Sequence, residues 1–223
     1  MFRSLVNQRS SFVSVCKRFA STEQRQYPLY ELRWYTIAPE HYPSFLKLTE
    51  EKIHLRTEHS PLLGYWTTEL GGLNEVVHIW GYESLVQRQR IRNTLGKAEE
   101  WNKEYMSKMR PMIQAQENAL MIPMSDVTNE FPLTDEVDLP GYELEVLAIA
   151  DDETGSPVQR NEHGANLVGR WKGIVGGYNG SVIQLWRYPS LEQLDSAIRE
   201  PKGMLEEQQF NKVLSPTAFS PLY

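Results

Sequence analysis

Apolar and polar positions alternate along this chain in short stretches set apart by Gly, Pro and Asn, and the same order of stretches is written twice. From Tyr30 the chain runs YELRWYTI, and from Tyr142 it runs YELEVLAI. In the first copy Leu32, Trp34 and Thr36 alternate with Arg33, Tyr35 and Ile37, a period of two rich in aromatic and β-branched residues, which predicts a strand. Pro39 and Pro43 then open a predicted helix reaching about Glu58, with Tyr42, Leu46, Thr49 and Ile53 along one stripe. Two strands follow, Leu62 to Leu70 and Glu75 to Gly81, joined by Gly71-Gly72-Leu73-Asn74. Gly and Asn accept the positive backbone angles that a tight hairpin needs.

After the hairpin, Ser84 stands where a helix N-cap belongs, and Ser190 repeats it ahead of Leu191, Leu194 and Ile198. A further helix carries Trp101, Tyr105, Met109 and Met112, with Pro111 bending or ending it. ALMIP, residues 119–123, closes the first copy as a short strand. The order β-α-β-β-α-β is that of a ferredoxin-like unit. The hairpin phrase LGYWTTELGGLNEVVHIWGYESL (63–85) returns as VGRWKGIVGGYNGSVIQLWRYPSL (168–191). The second copy is shorter ahead of its hairpin by roughly two helical turns. The shortened stretch contains Gly155, Pro157 and Gly164, so its first helix is expected to be short or displaced.

Neither face of these strands is polar. From Val76, one face carries Val76, His78, Trp80 and Tyr82, and the other carries Val77 and Ile79. Helices cover one face of such a sheet, and a second copy of matching shape covers the other. Each large aromatic so covered contributes roughly 1.5–3 kcal/mol. The expected fold is therefore α+β, with two tandem ferredoxin-like modules at residues 28–124 and 141–223 packed sheet to sheet. The acidic, Pro-bearing residues 125–140 form the linker between them.

Composition sharpens this picture at one end. With 40% hydrophobic and 11% aromatic residues among 223, the chain can bury a sizeable core. Residues 1–20 hold Arg3, Arg9, Lys17 and Arg18, four serines and no acid, with apolar positions at helical spacing, the signature of a mitochondrial transit peptide. Beyond them, 19 basic residues face 29 acidic ones, a balance that argues against a nucleic-acid partner. No stretch has the length of a bilayer span. Cys16, the only cysteine, lies inside the leader, so disulfides, thiolate metal sites and cysteine nucleophiles are not expected in the remainder.

Candidate chemistry is sparse. His54, Arg56 and His59 cluster at the end of the first helix, either as a cationic rim facing a carboxylate or as basic groups set against the helix dipole. The spacing of the two histidines is off the metal-binding i, i+4 pattern, and no metal or cofactor is expected. His78 shares a strand face with Trp80 and Tyr82, and with Trp66 and Arg56 these residues form a candidate aromatic pocket; the other reading is a core histidine satisfied by a single hydrogen bond. The second copy places Ile183 or Gln184 near this position, so the imidazole is not duplicated. Gly71-Gly72 and Gly176-Gly177 precede strands and lack a following Lys-Ser/Thr, which makes them turns rather than phosphate cradles.

The stretch HLRTEHSPLLGYWTTELGGLNEVVHIWGY (54–82), followed by Glu100-Trp101 and MIP (121–123), resembles the NIPSNAP family, especially its shorter branch. The resemblance covers about residues 28–123 strongly and 141–223 less so, since the second copy has no convincing MIP terminus. It implies tandem dimeric α/β-barrel modules, a mitochondrial and most naturally matrix location, and a non-enzymatic interaction or adaptor role in vesicle trafficking or mitochondrial quality control, with protein partners. Relatives on the same scaffold include cofactor-free oxidative enzymes. The alternative expectation is therefore a small-molecule binder or such an enzyme, with its pocket around His78. Exposed sheet edges also leave homo-oligomers open.

Overall fold

A computed structural model describes residues 26–124, 140–148, 163–199 and 207–222. The predicted transit peptide and nearly all of the predicted linker lie outside the described residues, as does most of the stretch where a shortened helix is expected.

Eight strands run in chain order: β1 (Leu29–Ile37), β2 (Leu62–Leu70), β3 (Glu75–Tyr82), β4 (Ile113–Pro123), β5 (Gly141–Ala148), β6 (Asn166–Val175), β7 (Val182–Tyr188) and β8 (Glu207–Pro216). Three longer helices accompany them, α1 (Tyr42–Lys52), α2 (Leu85–Lys97) and α3 (Leu191–Arg199). No helix among the described residues is long and apolar enough to cross a membrane. The hairpin of β2 and β3 turns at Gly71 and Asn74, both with positive φ, as Gly and Asn allow. Ser84 caps α2 by accepting from the Gln87 amide, and Ser190 accepts from the Gln193 amide at 3.3 Å.

The strands form one closed antiparallel barrel in the order β1-β3-β2-β8-β5-β7-β6-β4. This overturns the expectation of an α+β fold with two ferredoxin-like modules packed sheet to sheet. Each copy does supply four adjacent strands, but their edges join rather than their faces stacking. β2 pairs with β8 from Trp66↔Pro216 to Leu70↔Val213, and β4 pairs with β6 from Leu120↔Val175 to Pro123↔Trp171. A two-sheet sandwich would leave four strand edges bare, and closure pairs all of them. The two-sided apolar pattern is equally satisfied, because a curled sheet buries its concave face against itself.

Tyr30, Leu32, Trp34, Trp66, Val77 and Ile79 meet Tyr142, Leu144, Trp171, Ile183 and Leu185 inside the barrel. The interior is arranged with a two-fold likeness. Trp66 packs on Tyr142 with centroids 5.6 Å apart, and Trp171 packs on Tyr30 at 5.6 Å. Each indole lies over a glycine two residues earlier, Gly64 or Gly169, where an added methyl group would collide with the ring. The hairpins cross between halves in the same way: Gly71 packs on the Asn211 carbonyl, and Gly176 on the Asn118 carbonyl.

Candidate functional site

On the convex side of the first half, alternate residues of β1, β3 and β2 point at the helices. Phe45 and Thr49 of α1 and Tyr105 and Met109 from the segment after α2 cover Tyr35, Tyr65, Trp80 and Tyr82. The covering segment is π-helical over Trp101–Met106, with an α-turn at Ser107–Met109 and a 3₁₀ turn through Pro111. π-Helical turns are rare and occur mostly beside functional sites. Tyr105 hydroxyl and Thr49 Oγ1 are 3.1 Å apart, which ties this segment to α1.

A buried carboxylate anchors one end of this layer. Glu31 has no exposed side-chain surface and accepts from Arg88 Nη2 at 2.6 Å, Arg88 Nε at 2.9 Å, Asn118 Nδ2 at 2.7 Å and the Tyr82 hydroxyl at 3.2 Å. Burial alone would push the carboxyl up, but the Arg88 hydrogen bonds, the Arg33 charge and the Asn118 amide outweigh it and pull Glu31 down to about 2. Arg56 donates to Ser60 Oγ and, at 2.8 Å, to the Tyr82 hydroxyl, and its guanidinium lies 4.3 Å from the Trp80 ring centroid. Of the three basic residues ending the first helix, only Arg56 turns inward; His54 and His59 are exposed.

His78 is buried between rings. Tyr65 stacks on it at 4.7 Å and Tyr35 meets it edge-on at 4.9 Å. Trp80 Nε1 donates to His78 Nδ1 at 2.6 Å. An indole nitrogen only donates, so Nδ1 is the acceptor and the neutral ring carries its proton on Nε2. Burial, with the charges of Arg33 and Arg56, holds the imidazole well below its usual pKa, against the opposing pull of Glu31.

Four of the five sequence-selected residues, Arg56, His78, Trp80 and Tyr82, thus come together. Trp66 does not, because it pairs with Val77 and faces the barrel interior, while its neighbour Tyr65 pairs with His78. Glu31, Arg33, Tyr65, Arg88, Tyr105 and Asn118 were missed. One signal for Glu31 was available, since the only carboxylate in the first strand recurs at the same place in the repeat as Glu143.

The second half settles the alignment left open by sequence. Across β1, β3 and β2 the row is Arg33–His78–Tyr65, and across β5, β7 and β6 it is Glu145–Gln184–Arg170. Gln184 therefore stands in the place of His78. Trp186 Nε1 donates to Gln184 Oε1 and to Glu145 Oε2, both at 3.1 Å. Tyr188 and Asn211 hold Glu143, at 3.1 Å each, as Tyr82 and Asn118 hold Glu31.

Comparison with known proteins places this architecture. The NIPSNAP family profile matches residues 30–127. Human NipSnap homolog 3A is 32% identical over 93% of this chain and 92% of its own, and human NipSnap homolog 3B is 33% identical over the same shares. A crystal structure of a putative monooxygenase from Lactobacillus acidophilus, 11% identical, aligns with a TM-score of 0.52 over 88% of this chain and 95% of that one, a likeness of fold alone. With about a third of its residues identical to these relatives over nearly its full length, a repeated strand plan and a barrel built from it, the chain belongs to the NIPSNAP family.

Proposed function

We propose that this protein acts in mitochondria as a non-enzymatic adaptor, in vesicle trafficking or mitochondrial quality control. The observation that carries the reading is the outward face of α2. Leu85 and Val86 are more than half exposed there, and with Gln89, Arg90 and Asn93 they line a shallow depression of about 410 Å³. No Asp or Glu lies between Ser84 and Ala98, and Arg90, Arg92 and Lys97 are exposed on a chain that is otherwise acidic. Such a face suits a protein partner that presents apolar and acidic side chains together. The Arg- and Ser-rich, acid-free residues 1–20 support delivery to the matrix.

The test is import into isolated mitochondria followed by protease protection and crosslinking, with the wild-type chain beside Leu85→Glu/Val86→Glu. Protection of both chains and loss of specific crosslinked partners from the variant are expected. A chain left outside the organelle, or identical crosslinks from both, overturns the proposal.

One observation favours a second reading, small-molecule binding around His78: its buried Nε2 has no hydrogen-bond partner among the described residues. A thermal-shift screen with quinones, haem and aromatic acids should yield a hit that His78→Ala abolishes. A screen without hits removes this reading.

A further inference from the structure

The first half's row contains buried polar groups without hydrogen bonds. Arg33, His78 and Tyr65 are register neighbours across three strands, and Arg33 Nε, His78 Nε2 and the Tyr65 hydroxyl are buried atoms with no hydrogen-bond partner among the described residues. His78 and Tyr65 are only 4% and 2% exposed. The imidazole proton is fixed on Nε2 by Trp80, a guanidinium can only donate, and burial keeps the Tyr65 phenol protonated beside Thr49, able to donate as well as accept. Glu31 does not supply the missing acceptor, since its Oε1 is 3.9 Å from Arg33 Nε, beyond hydrogen-bond reach.

Charge points the same way. Three guanidinium groups, Arg33, Arg56 and Arg88, surround this layer, and Glu31 is the carboxylate facing them. Charge withdrawn from solvent is normally paired, so three wholly or partly buried guanidinium groups against one carboxylate favour a further anion. Covering the layer is the π-helical turn at Trp101–Met106, a geometry that clusters at functional sites. Arg33, with 19% of its side chain exposed, is the member through which the row opens to solvent.

We propose that Arg33, His78 and Tyr65 form a binding site for a small organic carboxylate. A planar, two-oxygen, acceptor-only group answers three donors in a row, and its charge offsets the local cationic excess. Two of the three equivalent positions in the second half carry an acceptor, Glu145 and Gln184, and both accept from Trp186. The site rests on the small-molecule reading and names its ligand class.

The experiment compares melting of the full chain in sodium acetate or benzoate against sodium chloride and sodium phosphate at equal ionic strength, and follows the His78 Nε2–H resonance by long-range proton–nitrogen NMR. A carboxylate at a hundredfold excess over its Kd should raise Tm by about 5–10 °C and move that resonance. Arg33→Glu/His78→Gln, which installs the second half's acceptors, should melt without any carboxylate preference. Equal Tm in carboxylate and chloride, or an unmoved His78 resonance in the wild type, overturns the proposal whether or not the variant folds. So does an equal rise in phosphate, which would mean that the site reads charge alone. Hits confined to neutral quinones would keep the small-molecule reading and overturn the carboxylate.

Discussion

The two halves of this barrel agree inside and differ outside. In the interior, Trp66 over Gly64 against Tyr142 matches Trp171 over Gly169 against Tyr30, down to the ring separations. On the convex side, Glu31 and Glu143 keep the same tyrosine and asparagine partners, yet the next row changes from Arg, His and Tyr to Glu, Gln and Arg. Packing shape constrains the interior on both sides of the two-fold, because each half fills the other. The outer layer of each half packs mainly under its own helices, with Phe219 as the second half's contribution over Tyr65, so its chemistry is freer to differ.

The sharpest test of interior equivalence is Trp66→Ala beside Trp171→Ala. Both indoles are fully buried, so each truncation should cost about 3–5 kcal/mol by urea denaturation, with the two values close. A wide gap between them would break the likeness. Glu31→Gln should cost about 3 kcal/mol at neutral pH, because Arg88 is left without its carboxylate. The sign for acid follows from the lowered carboxyl. Stability from Glu31 is complete above about 4.5 and is lost as pH falls toward about 2, so the acid-unfolding limb over that window should flatten in the variant.

His78→Gln copies the second half's residue and acts in a different window. The imidazole stays neutral in the fold under Arg33 and Arg56, with Glu31 opposing, while the unfolded chain takes up a proton below about 6.5. The unfolded state then binds more protons, so the wild type loses about 1.4 kcal/mol per pH unit below that point and the variant should not. Equilibrium unfolding between pH 6.5 and 4.5 decides this. The smallest effect is expected at the matched, half-exposed leucines that begin α2 and α3: Leu85→Ser and Leu191→Ser should each change stability by less than about 0.5 kcal/mol.

Much of the local structure was legible. The bounds of β2, the turn at Gly71 and Asn74 and the caps at Ser84 and Ser190 all follow from short-range chemistry that the sequence displays directly. Barrel closure was not legible, because it depends on pairings such as Trp66 with Pro216, for which neither strand carries a local signal. The polar run Glu207–Gln209 at the start of β8 hid that strand altogether. Trp66, expected beside His78, lies on the opposite face for a related reason. In a strand, one residue of offset exchanges faces, and the irregularity between Leu62 and Gly64 shifts the register that decides it. Arg56, His78, Trp80 and Tyr82 were found because aromatic and basic residues concentrate there, whereas Arg88 and Asn118 come from elements whose approach only the fold reveals.

The position of β8 governs the order of assembly. It is the last strand in the chain, and it pairs with β2, about a hundred and fifty residues earlier, and with β5. During N-to-C synthesis, β2 must wait with an unpaired edge until residues 207–216 arrive, and contacts so distant in sequence form slowly. The nascent molecule is therefore most open to chaperones, and most prone to pairing with other chains, until its final stave drops into place.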